Sequence, residues 1–176
     1  SSDVAEVVQK RLLAKKSEIQ PKLKEIYDTH VNNFKTLFDF SDNSAEYKNY
    51  QDLEHFVFCY PFVPYQFRLF QTAIQNLSDH NAFEGKHQSV GERSLIIVFQ
   101  DVAKHIKDHQ LGELATFDLM YDGIERALKN NLTRAVNRAK DELDNPFAIR
   151  VLKALCLVKY IKEFKPTIRN ICILMQ

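Results

Sequence analysis

Apolar side chains recur at the helical period along almost the whole chain, and only four glycines and five prolines interrupt them. A half-buried strand alternates apolar and polar residues. These stripes return after three and four residues instead, so the chain predicts an all-α fold, helices packed on helices. At 176 residues it can bury a sizeable core, as one ordinary domain or two small ones. With 45% hydrophobic and 27% charged residues it reads as globular rather than disordered. A formal net charge of +1 gives no global attraction to nucleic acid or an anionic membrane, but leaves room for a local patch.

The stretch from Tyr60 to Lys107 organises the rest. Tyr60-Pro61-Phe62-Val63-Pro64-Tyr65 leads into a helix over Gln66 to Leu77. Its prolines hold φ near about −65° and keep the residue before each out of the α region, which sets the angle of approach. A polar insert from Ser78 to Val90 reads as an exposed loop. Gly91-Glu92-Arg93-Ser94 then opens a second helix with Leu95, Val98, Phe99, Val102 and Ile106 on one stripe. Arg93 falls in its first turn, where the helix dipole favours anions. A cation there has another partner: Glu92, a tertiary carboxylate or an external anion.

Before this stretch, Asp3 is a suitable N-cap for a helix carrying Val4, Val7, Val8 and Leu12, whose later cations, Lys15 and Lys16 among them, suit a helix C-terminus. A second helix runs from Pro21 to about Phe38, a loop covers 40–49, and Leu53 to Tyr60 is a short extended or helical segment. Beyond Gly112 the periodicity predicts one long helix from Phe117 to Leu143. Arg126, Lys129, Arg134, Arg138 and Lys140 load one side of it, a mildly basic face whose alternative employments are plain solvation and contact with DNA. Asn145-Pro146 starts a helix to Ile161 that is apolar nearly all round and so expected to be buried. A short turn and Thr167 open a last helix with Ile168, Ile171, Cys172 and Met175 as its stripe. This hairpin is either ordinary or the start of a helix-turn-helix.

No catalytic residue or metal ligand set stands out. Cys59, Cys156 and Cys172 are far apart and odd in number, and read as reduced core residues of an intracellular, cytoplasmic protein. His105 and His109 have metal-sharing spacing but no third ligand nearby. Gly85-Lys86 lacks the remainder of a phosphate loop, and no Walker A sequence occurs. No membrane partner is expected, since the most apolar run, Ala154 to Val158, is too short to span. Ser1-Ser2 and the stop at Met175-Gln176 are read as marking a piece of a larger protein.

Several motifs together resemble one family. Gln9-Lys10-Arg11-Leu12-Leu13, Tyr60-Pro61-Phe62-Val63-Pro64-Tyr65-Gln66-Phe67, Ser89-Val90-Gly91-Glu92-Arg93-Ser94, and the tail from Val151 to Ile161 and Thr167 to Ile171 are similar, in order, to a region of the large P-loop ATPase of the bacterial BREX phage-defence system (the BrxC/PglY type). The resemblance implies an AAA+ lid-like helical bundle over residues 2–109, a long connecting helix over 110–145, and a helical hairpin over 146–176 that opens a truncated winged-helix-like module. It implies that Arg93 is a nucleotide-sensing (sensor-2) arginine supported by Glu92 and Ser94. ATP and Mg would be bound by the parent protein and not by this piece, which lacks the core motifs. The implied partners are the nucleotide-binding core of the parent chain, DNA and other phage-defence proteins; the residues for DNA, Arg126, Lys129, Arg134 and Arg138, come from the basic face read above and not from the resemblance. The alternative is a helical interaction or DNA-binding adaptor with no nucleotide role.

Overall fold

A computed structural model describes residues 3–40, 46–85 and 92–176, the side chains of Glu92 and Arg93 excepted. The regular elements among them are all helical: α1 (Val4–Val7), α2 (Gln20–Leu37), α3 (Leu53–Cys59), α4 (Pro64–Asp79), α5 (Glu92–His105), α6 (Leu119–Ile124), α7 (Asn130–Glu142), α8 (Pro146–Val158) and α9 (Ile168–Leu174). No described helix is long and apolar enough to cross a membrane. Single side chains close several N-termini by accepting a backbone N–H: Asp3 from Ala5, Asp52 from His55, Asn145 from Ala148 and Thr167 from Asn170. Asp52 thereby resolves the segment before Pro61 as helix.

The central element is α4, which buries Tyr65, Gln66, Phe67, Leu69, Phe70, Ala73, Ile74 and Leu77. Across it lies α5, whose stripe Leu95, Val98, Phe99, Val102 and Ile106 is buried as its period requires. Phe99 joins the two helices through Phe62, Phe67 and Phe70, with ring centroids 4.9–5.8 Å apart. Buried side chains from Val4 to Leu174 form one hydrophobic cluster, so residues from all three expected segments share a core.

The long helix expected from Phe117 to Leu143 is two helices. After α6 the chain tightens into a 3₁₀ turn at Glu125–Ala127, runs extended through Leu128 and Lys129, and restarts as α7. Leu128 pairs with Phe83 in an antiparallel bridge: Glu84 N–H donates to Ala127 O and Lys129 N–H to Ala82 O, both at 2.9 Å. Helix geometry at Leu128 would forfeit these bonds and withdraw a buried leucine, and tertiary pairing overrides local propensity. The same bridge corrects the reading of the polar insert at Ala82 and Phe83, which are buried, while His80, Asn81, Glu84 and Gly85 are exposed and residues 86–90 lie outside the described residues.

Other faces also differ from expectation. On α8 only Ala154, Leu157 and Val158 are buried, and Phe147 stays 56% exposed. In α9 the buried side chains are Asn170, Ile173 and Leu174, while Ile168 is 87% exposed and Cys172 is exposed rather than in the core. The reason is the anchoring of that helix. Its end is held by Phe117 N–H on Leu174 O at 2.8 Å, and Asn170 Nδ2 donates to Lys165 O at 2.8 Å, which turns this face inward.

Where α6 crosses α5 the backbones approach closely at Gly123. A Cβ there would lie 2.7 Å from Val98 Cγ1 and 3.0 Å from Cγ2. Alanine normally favours a helix interior over glycine by about 0.5–1 kcal/mol, but overpacking costs about 1–3 kcal/mol. The clash wins. Gly123→Ala is expected to lower unfolding free energy by about 1 kcal/mol or more, and to become neutral or stabilising when made in a Val98→Ala background. Urea unfolding of the four proteins checks both signs.

Candidate functional site

The turn before α4 is fastened from every side. Tyr60-Pro61 is a cis peptide, and Pro61 O accepts Ala115 N–H at 2.8 Å. Gln66, in the first turn of α4, is fully buried. Its Oε1 accepts Val63 N–H at 3.0 Å, and its Nε2 donates to Ala115 O at 2.6 Å. Tyr50 donates its hydroxyl to Phe62 O, and Gly112 N–H donates to the Tyr60 hydroxyl, each at 2.9 Å. Buried backbone groups need partners, and one glutamine serves two of them here. The expected rigid approach to α4 is thus a hydrogen-bonded knot reaching from Tyr50 to Ala115.

The helix α5 starts at Glu92, which sets Arg93 in the first turn of a 14-residue helix. The side chains of Arg93 and Glu92 lie outside the described residues; Ser94 is half-buried. From this end the buried stripe carries α5 across α4 to α6.

Two ion pairs fix α8 against α6 and the turn before it. Asp118 is 2% exposed at its side chain and receives Arg150 Nε at 3.0 Å and Nη2 at 3.4 Å, while Nη2 also donates to Thr116 Oγ1 at 3.0 Å. One turn along, Lys153 Nζ meets Asp122 Oδ1 at 2.7 Å. The planar guanidinium presents its donors in a fixed fork that meets both Asp118 oxygens and Thr116 Oγ1, a geometry that the point charge of a lysine lacks.

The four candidate nucleic-acid contacts do not share a helix. Arg126 is in the 3₁₀ turn, Lys129 is the extended residue before α7, and Arg134 and Arg138 are exposed on α7. Arg138 Nε pairs with Glu142 at 2.8 Å, and Lys140 Nζ with Glu125 at 2.9 Å. The single basic face expected of one long helix is therefore divided by the break and partly neutralised.

Sequence reading passed over Lys15, which looked no different from Lys16. The chain leaves α1 through a π-turn at Val8–Leu12, with Leu13 N–H donating to Val8 O, and brings the Lys15 amine to Leu13 O at 2.5 Å and Phe58 O at 3.5 Å. Burial lowers its pKa from 10.5 to about 8. Burial also pushes the neighbouring Cys59 thiol up from 9.0 to about 12, and Gln9 Nε2 sits 3.3 Å from its sulfur. The two groups act oppositely on stability. Between pH 8 and 10.5 the unfolded chain holds the Lys15 proton more firmly, so stability rises with pH; above 9 the unfolded Cys59 loses its proton first, so stability falls. From pH 8 to 9, stability of the native chain relative to Lys15→Met is expected to rise by at most about 1.4 kcal/mol, less in proportion to the amine's remaining solvent contact. Urea unfolding of both proteins across this window reads the slope.

No protein-family model matches the chain, and no solved structure matches it.

Proposed function

We propose that this chain is the helical lid region of a cytoplasmic P-loop ATPase of the BREX phage-defence type, in which Arg93 senses the nucleotide held by the neighbouring core. The observation that carries this reading is the start of α5 at Glu92, which sets Arg93 at the head of a helix clamped along its length by the core. A permanently charged fork at that position suits phosphate oxygens. ATP and Mg would be bound by the parent's core, and the order of the resembling motifs supports the family. Force applied at Arg93 would be carried by α5 onto α6 at the Val98–Gly123 crossing, and from α6 to α8 through the Asp118–Arg150 and Asp122–Lys153 pairs. Only a difference in affinity between nucleotide states can drive such a movement. DNA and other defence proteins would be contacted by the parts that move.

The test is ATP turnover by the full-length parent, with Arg93→Ala expected to lower it roughly tenfold or more at unchanged unfolding temperature. Unaltered turnover removes Arg93 from the nucleotide. The rival, a helical or DNA-binding adaptor, draws on the exposed Arg126 and Arg134. It predicts salt-sensitive DNA binding by this chain, lost on Arg126→Ala and Arg134→Ala, with no dependence on ATP.

A further inference from the structure

A cleft of about 490 Å³ opens between the π-turn, the start of α2, the cis-proline turn and the C-terminal end of α5. That is within the range of about 300–1,000 Å³ common for small-ligand sites. Its walls are mostly aliphatic, with Leu12, Ile19, Leu23, Pro61, Ile106 and Leu111 among them. Of its polar groups, the Tyr60 hydroxyl already accepts Gly112 N–H, and Glu113 is held by His109 Nδ1 at 3.0 Å. That leaves two cations, Lys15 and Lys107, with no carboxylate within ion-pair distance among the described residues. Among the described residues, Lys15 has the carbonyls of Leu13 and Phe58 as its partners. An amine drawn into an apolar wall without a counter-ion is costly, and an incoming anion relieves that cost.

We propose that this cleft binds a small amphipathic monocarboxylic acid, its apolar chain against Leu12, Ile19, Leu23 and Ile106 and its carboxylate at the Lys15 amine. A monoanion is selected because Lys15 is the cation set against the aliphatic walls, whereas Lys107 is exposed to solvent. The inference is independent of the lid reading, so either can fail alone.

The experiment is calorimetric titration of the 176-residue chain with decanoate, kept below its micelle-forming concentration, and separately with decanol. Saturable decanoate binding is expected, with decanol roughly tenfold weaker or worse for want of the charge-assisted contact. Lys15→Met should weaken decanoate to the level of decanol, and Ala103→Leu, which fills the cleft, should abolish both. Circular dichroism checks that each variant folds. If Lys15→Met does not fold, the decanoate–decanol contrast on the native chain and the Ala103→Leu variant decide. Absence of saturable binding, equal affinity for the acid and the alcohol, or unchanged affinity in Ala103→Leu overturns the proposal.

Discussion

Arg150→Met is expected to lower unfolding free energy by about 3 kcal/mol, the lower end of what breaking a buried pair costs. The lower end applies because Arg150 is 40% exposed, whereas Asp118, left behind, is 2% exposed. Most of the loss is thus the price of a carboxylate with no cation, and only a small part is lost attraction. Adding Asp118→Asn to Arg150→Met should recover a large share of it, since a neutral amide is far cheaper to bury. Urea unfolding of the single and double variants, with equal dependence on denaturant, measures this. A loss below about 1 kcal/mol in Arg150→Met would mean that the pair does not hold α8 in place.

Gln66→Leu tests the knot before α4 and is expected to cost about 2–6 kcal/mol. Leucine fits the space but leaves Val63 N–H and Ala115 C=O buried without partners, each worth about 1–3 kcal/mol. Gln66→Glu separates the two bonds. When ionised it keeps the acceptor for Val63 N–H and loses the donor to Ala115 O, so its cost is expected to grow with pH, because only the protonated carboxyl can donate there. Both variants should also loosen the turn at Gly112 to Ala115, so amide exchange at Ala115 and Gly112 is expected to accelerate more than at Phe99. Equal stability of Gln66→Leu and the native chain would contradict the described hydrogen bonding.

What could be read from sequence was whatever the local chain specifies. The helical class, the caps at Asp3, Asn145 and Thr167, and the stripe of α5 follow from spacing and side-chain chemistry within one or two turns. The break between α6 and α7 was not legible, because no proline or glycine marks Glu125 to Lys129 and its cause is Phe83, a distant residue in sequence. The inward face of α9 was hidden for a similar reason. Asn170 is polar and was passed over for Ile168, yet its amide is used by Lys165 O while Ile168 faces outward. Of the candidate site, the placement of Arg93 in a first turn was legible, and its side chain lies outside the described residues. Lys15 was not legible at all, since its environment is made by α3 and the π-turn together.

The most direct test of the lid reading is the affinity of the full-length parent for ATP and for ADP, each measured with Arg93 intact and with Arg93→Ala. If the arginine senses nucleotide, ATP affinity falls by roughly tenfold or more and ADP affinity by clearly less, because a guanidinium at the terminal phosphate discriminates between the two. Unchanged affinities, or an equal fall in both, would contradict the account and place Arg93 in a role unconnected with nucleotide state.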